Sequence, residues 1–103
     1  MSWLGKLFGE DKNKELLKKC EDLWQYYERG AQQVGNPLNQ SEAGKLANIV
    51  LLMRKQLKPE YSLTDEAFNA LMHTFCVTQH KYDETTFQQA MQMVNTLSSL
   101  YGG

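Results

Sequence analysis

The residues most able to do chemistry in this chain are two histidines and a cysteine close together in the second half. His73, Cys76 and His80 are spaced i, i+3 and i+7, and on an α-helix such positions lie within about 60 degrees of one another. Imidazole and thiolate groups are ligands for zinc or copper, so this spacing indicates a metal site if a neighbouring helix supplies another donor. The sequence has no second cysteine and histidine pair to complete a structural zinc site. We therefore predict no metal ion and no cofactor, with Cys76 at the edge of the core and the histidines beside it.

The same residues do not match a catalytic arrangement. Nucleophilic catalysis needs a third group that orients the base and donors that stabilise an oxyanion, and a cysteine and histidine on one helix supply neither. The chain also has no glycine-rich loop that would bind a phosphate. We therefore expect a protein without enzymatic activity.

Composition limits the class of partner and the compartment. The chain has 103 residues, enough for one domain, and its 11 basic and 12 acidic side chains leave a net charge of -1. This balance does not favour nucleic acid as a partner. The two cysteines, Cys20 and Cys76, lie among apolar neighbours, which is typical of reduced core thiols in a cytoplasmic protein; a disulfide between them is the alternative. We expect no membrane span, because apolar stretches of about 18 residues do not occur.

Four stretches of the sequence carry apolar residues at the spacing of an α-helix. The first begins at Asp11 and ends before Gly35, and its core face contains Leu16, Leu17, Cys20, Leu23, Trp24, Tyr27, Ala31 and Val34. The second follows an N-cap at Ser41, is apolar around most of its circumference and ends at Pro59. We expect the second helix to be the most buried, with Leu51 in the core.

The third and fourth helices each carry an apolar face. The third is capped by Ser62 with Asp65, or alternatively by Thr64, and buries Phe68, Leu71, Met72, Phe75 and Cys76. The fourth begins at Asp83 and buries Phe87, Ala90, Met91, Val94, Leu97 and Tyr101. Short connections make neighbouring helices antiparallel. The sequence therefore predicts an all-α fold, an antiparallel up-and-down four-helix bundle over residues 11–103.

Residues 1–10 are predicted to form a separate, amphipathic N-terminal arm. On a helix its four large apolar side chains share one face: Trp3, Leu4, Leu7 and Phe8. Such a short face needs cover from the bundle, a partner or a membrane surface, and the sequence leaves these three open. The arm is interrupted by Gly5 and Lys6, so it does not resemble a secretory signal. We expect a cytoplasmic protein whose arm makes peripheral contact with the membrane or with a partner.

An aromatic group in the first helix supplies one more candidate contact. Trp24 and Tyr27 fall on the core face, where packing explains them. Tyr26 projects off that face. We therefore expect Tyr26 to lie at an interface with a partner.

The arrangement of the chain resembles the small immunity proteins that protect lactic acid bacteria from their own pediocin-like bacteriocins. The shared features are a Met-Ser start with Trp3 and Phe8, a glycine-acidic-basic joint from Gly9 to Lys12, four helices in about a hundred residues, and an aromatic-glycine end from Tyr101 to Gly103. The chain departs from the family in its slightly acidic charge balance and in its short tail after Tyr101.

The resemblance implies a non-enzymatic four-helix bundle in the cytosol, partly associated with the membrane. It also implies recognition, from the inside, of a mannose permease occupied by the bacteriocin. In that family recognition depends on the C-terminal half, so together with Tyr26 the candidate partner surface comprises His73, His80, Tyr82 and Tyr101. The alternative function is a small helical interaction module: a membrane-tethered adaptor, a secretion chaperone or an inhibitor of a cellular protein.

Overall fold

A computed structural model of the chain describes residues 10–33 and 41–101, and the predicted N-terminal arm, up to residue 9, lies outside them. The four helices are α1 Glu10–Gln33, α2 Glu42–Tyr61, α3 Asp65–His73 and α4 Glu84–Tyr101. A π-helical turn, Thr74–Gln79, continues α3 directly. The described residues contain no β-strand, and the predicted all-α four-helix bundle is confirmed.

Contacts near the helix ends establish the antiparallel order. Near the start of α1, Lys12 places its Nζ atom 4.7 Å from the ring centroid of Tyr61, the last residue of α2. The π turn that continues α3 contacts Trp24 in the second half of α1, at the opposite end of the bundle. Asp65, the first residue of α3, shares a cavity with Ser98 near the end of α4. Each helix is therefore antiparallel to the one before it, as the short connections predict.

At the start of three helices, a polar side chain accepts a hydrogen bond from the backbone N–H group three residues further along the chain. The distances are 2.9 Å at Ser41, 3.0 Å at Thr64 and 3.2 Å at Asp83. These bonds satisfy donors that have no partner within the helix. The predicted cap Ser41 is confirmed, and Thr64 is the correct alternative for α3. Asp83, predicted as the first residue of the fourth helix, is instead the residue that caps it, and α4 begins at Glu84.

The predicted end of α2 at Pro59 is wrong, because the helix continues to Tyr61. Ser62 then takes the left-handed conformation at φ 53° and ψ 45°, and its N–H group donates to the carbonyl oxygens of Lys58 and Pro59. The N–H group of Leu63 also donates to Lys58, at 2.9 Å. Proline removes a single backbone donor. The bonds that follow it satisfy the last carbonyls and complete the turn.

The core contains side chains from all four helices and the π turn. The largest fully buried side chains are Phe68, Phe75, Leu16, Leu46, Met53, Leu57, Leu71, Met72, Val50, Val94 and Cys20. Helix α2 contributes eight buried residues of 20 and the shorter α3 contributes four of 9, so α2 buries more residues but not a larger share of its length. None of the described helices combines the length and the apolar character needed to cross a membrane.

Some residues that the sequence assigns to the core are only partly buried. Leu51 packs against the edge of the core, so its predicted central position is wrong. Successive helical residues are rotated by about 100°, and the run from Ile49 to Met53 cannot face the neighbouring helices with every member. Others at the edge are Leu17, Leu23, Tyr27 and Leu97. The side chains of Ala31, Val34 and Tyr101 lie outside the described part of the chain.

Candidate partner-binding surface

The histidines and the cysteine that suggested a metal site have three separate environments. The α-helical spacing on which that suggestion depends ends at His73, because a wider π turn follows. His73 Nε2 lies 2.8 Å from Glu84 Oε1, His80 Nε2 lies 2.8 Å from Glu21 Oε1, and Cys76 is fully buried. The expectation that the three share one face is therefore wrong. In the described residues, no group of three or more His, Cys, Asp or Glu side chains is placed to hold a metal ion.

Both cysteines are free and buried, as the sequence predicts for core thiols. Burial, followed by the nearby Cys76 and Glu21, raises the pKa of Cys20 to about 12. Burial likewise raises the pKa of Cys76 to about 12. The thiolate is the nucleophilic and metal-binding form of cysteine. These two side chains are therefore packing groups at neutral pH.

One end of the bundle is closed by a cluster that we call the aromatic end: Glu21, Trp24, Phe75, His80 and Tyr82. The buried Trp24 ring lies 5.6 Å from Phe75, 4.8 Å from His80 and 5.8 Å from Tyr82, measured between ring centroids. The His80 ring also lies 4.6 Å from Phe75. The hydrogen bond between His80 and Glu21 therefore joins the end of the π turn to α1, and the His80 ring that makes it is packed against Trp24 and Phe75.

The backbone after the π turn explains why His80 and Tyr82 point back to the bundle. The N–H group of His80 donates to the Phe75 carbonyl at 3.1 Å, and that of Tyr82 donates to the Cys76 carbonyl at 3.0 Å. Between them, Lys81 has a positive φ of 60°. The chain reverses at this residue. Packing contacts thus position His80 and Tyr82, two of the predicted partner-surface residues, and leave each partly exposed.

Two other predicted contact residues lie nearer to solvent. Tyr26 is 73% exposed, and its ring meets Tyr27 edge to face with centroids 5.5 Å apart. The ring of His73 stands on Phe87, 5.3 Å away and nearly perpendicular, at 83°. A further exposed apolar side chain, Leu100, was not predicted from the sequence.

The remaining predicted contact residues lie outside what the structure describes. They are the arm residues Trp3, Leu4, Leu7 and Phe8, and the side chain of Tyr101.

The opposite end of the bundle carries a groove where α2 ends, α3 begins and α4 ends. Two cavities of about 580 and 420 Å³ share Arg54 as a lining residue. The first extends between α3 and α4, and the second follows the last turns of α2. We call the two cavities the Arg54 groove and define it by Arg54, Lys55, Lys58, Asp65, Asn69 and Asn95.

Positive charge converges on one carboxylate in the Arg54 groove. Arg54 Nη2 and Lys58 Nζ lie 3.2 and 2.7 Å from the same oxygen, Oδ1 of Asp65. The hydrogen bond and charge of Lys58, followed by those of Arg54, hold the pKa of Asp65 below its usual range. The Asp65 side chain is 73% exposed, whereas that of Arg54 is only 16% exposed. The carboxylate therefore faces solvent in front of two covered cations.

Sequence reasoning missed this groove although its cations are visible in the sequence. Arg54, Lys55 and Lys58 come near the C-terminus of a helix, where the helix dipole alone explains basic residues. Their convergence on Asp65 depends on how α3 packs against α2. The signal that could have found it is the reversal of a short connection, which brings the start of α3 to the end of α2.

Comparison of the chain with protein-family models, with curated proteins and with solved structures gives no match. The resemblance to the bacteriocin immunity proteins therefore stays a prediction.

Proposed function

We propose that this chain is a non-enzymatic protein-binding factor that acts as a bacteriocin immunity protein at the cytosolic face of the membrane. The observation that supports the proposal is how the reactive side chains are used. Both thiols are buried with a raised pKa, and both histidines are bonded to carboxylates of other helices. Groups that could do chemistry are thus engaged in core packing or in contacts between helices.

The exposed surface supports a protein as the partner. Aromatic side chains are enriched at protein interfaces, and Tyr26 is an exposed side chain of this kind. The net charge of -1 does not favour a polyanion. The Arg54 groove, at the end of the bundle opposite the aromatic end, carries hydrogen-bonding groups and a local positive charge.

The immunity role is supported by the agreement between the bundle and the fold that the resemblance implies. In this proposal the protein recognises a mannose permease occupied by a bacteriocin and blocks its pore from the inside. The arm with Trp3, Leu4, Leu7 and Phe8 holds the bundle near the membrane. Each large side chain that is buried contributes about 1.5 to 3 kcal/mol, which is enough in sum for reversible adsorption.

Protection of sensitive cells tests the proposal. The chain is expressed in the cytosol of a bacteriocin-sensitive strain, which is then exposed to a panel of pediocin-like bacteriocins. We expect survival against at least one of them and no protection against a pore former that does not use the permease. An expressed, folded protein that protects against none of the panel would contradict the immunity role. A stoichiometric complex with a soluble protein in a pull-down would then favour the adaptor alternative.

Removal of residues 2–9 tests the membrane contact separately. We expect the melting temperature to change by a few degrees at most, binding to anionic vesicles to be lost and protection to fall. Trp3 fluorescence, read after Trp24 is replaced by Phe, should shift to the blue on adding vesicles. A large loss of stability together with a Trp3 signal that vesicles do not change would place the arm in the core.

A further inference from the structure

The Arg54 groove has more positive charge than its own residues neutralise. Arg54, Lys55 and Lys58 line the two cavities, and among the described residues Asp65 is the only acidic one that lines them. The groove therefore has a surplus of two positive charges in a protein whose net charge is -1. Both bonded cations end on one oxygen of Asp65, so a second carboxylate would find donors already converged.

The rest of the lining suits a peptide chain more than an isolated anion. Asn69 and Asn95 carry carboxamides, which both donate and accept hydrogen bonds, as a peptide backbone does. The exposed Pro59 adds apolar surface to the second cavity. Cavities of about 580 and 420 Å³ that share a lining residue offer room for several residues of chain.

We propose that the Arg54 groove is a docking site for an extended acidic peptide segment of a partner protein, with a carboxylate of that segment bound by Arg54 and Lys58 beside Asp65. This inference rests on the proposed protein-binding function and specifies the chemistry of the partner. Asp65 acts as an internal competitor, because it occupies the donors that the incoming carboxylate needs. The exposed position of Asp65 lets it swing aside while the covered cations stay in place.

A peptide titration tests the site directly. The probe is a fluorescein-labelled peptide with the repeat Asp-Leu-Glu-Ser, and its neutral counterpart carries Asn and Gln in place of the acids. We expect the acidic peptide to bind more tightly and to shift the backbone amide resonances of Arg54, Lys58, Asn69 and Asn95 in NMR spectra. Equal binding of the two peptides, or shifts confined to other surfaces, would overturn the proposal.

Variants with opposite expected signs sharpen the test. Arg54→Gln with Lys58→Gln should weaken binding about tenfold or more, as expected for hydrogen bonds to charged groups. Lys18→Gln with Arg29→Gln removes the same charge from exposed positions outside the groove and should have little effect. Asp65→Asn should tighten binding about two- to fivefold, because the competitor is removed. A structural role for Asp65 alone would not produce that gain.

Other variants and probes cover the remaining outcomes. Asn95→Asp adds a carboxylate to the groove without breaking the Arg54 and Asp65 contact, and it should weaken binding even if the double variant fails to fold.

Inorganic phosphate and phosphatidylglycerol vesicles are run alongside the peptide. Vesicles that shift the groove resonances when the peptide does not would assign the groove to a lipid surface and overturn the proposal.

The groove and the proposed immunity function can fail independently. A protein that protects cells but binds no acidic peptide would overturn the groove assignment and leave the immunity function standing. A protein that binds the peptide through Arg54 and Lys58 but protects against no bacteriocin would overturn the immunity function and leave the groove assignment standing.

Discussion

At the aromatic end of the bundle one carboxylate meets one imidazole, whereas at the Arg54 groove one carboxylate meets two cations. Glu21 and His80 form their 2.8 Å contact beside the rings of Trp24 and Phe75. Asp65 faces solvent and leaves positive charge over. The residue types usually associated with chemistry thus make contacts within the fold, and ordinary surface charges line the accessible groove.

Helix α2 connects the two regions. Glu42 in its first turn lies near enough to Tyr82 to raise the pKa of that phenol, after burial and the charges of Cys76 and Glu28. The last turns of the same helix carry the groove cations. A shift in the position of α2 would therefore change contacts at both ends of the bundle.

The largest expected effect is at the aromatic end. Trp24→Ala should lower the free energy of unfolding by about 3 to 5 kcal/mol, because a buried indole with several aromatic neighbours leaves a cavity. Tyr26→Ala, at the adjacent but exposed ring stack, should change it by no more than about 0.5 kcal/mol. Urea denaturation followed by circular dichroism gives both values. Similar losses in the two variants would remove the distinction between a closed end and an exposed surface.

The next effect compares two leucines of the connecting helix. Leu46→Ala should cost about 2 to 5 kcal/mol, because Leu46 is fully buried. Leu51→Ala should cost less, because Leu51 lies at the edge of the core. The same denaturation experiment measures the difference. An equal or larger loss at Leu51 would restore the central position that the sequence suggests.

A smaller effect separates the two histidine contacts. Double-mutant cycles with Gln should give a coupling of about 0.5 to 1.5 kcal/mol for Glu21 with His80 and a weaker one for His73 with Glu84. Both distances are 2.8 Å, but the side chains are 24% and 39% exposed in the first pair and 45% and 56% exposed in the second. Stronger coupling in the second pair would contradict the view that enclosure strengthens the first.

The smallest effect concerns the acid titration of the groove. The pKa of Asp65 in the folded protein is held below its ordinary value of 3.8, so its contribution to stability is present above that value. The contribution disappears as the pH falls through the folded pKa. NMR titration of the side-chain carboxyl carbon should show the low pKa, and Lys58→Gln should return it toward the ordinary value. An Asp65 pKa at its ordinary value would indicate that the two cations do not converge on this carboxylate in solution.

Periodicity and capping chemistry predict most of the fold because they are local. The helices with their apolar faces and the cap at Ser41 depend on residues a few positions apart. The end of α2 was missed because the bonds from Ser62 and Leu63 offset the donor that proline lacks. The candidate site was missed for a different reason. It depends on contacts between helices, which a single sequence does not encode in its spacing.

The π turn at Thr74–Gln79 also sets how the chain tolerates changes in length. A π-helical segment spends more residues on each turn than an α-helix does. About six residues in a π-helix turn the chain as far as about five do in an α-helix. Deleting the exposed Thr78 would therefore let the segment return to α-helical winding while His80 and Tyr82 keep their directions toward Glu21 and Trp24. An inserted residue has no such compensation and would rotate everything after it by about 100° around the helix axis. This turn should therefore accept a deletion more readily than an insertion.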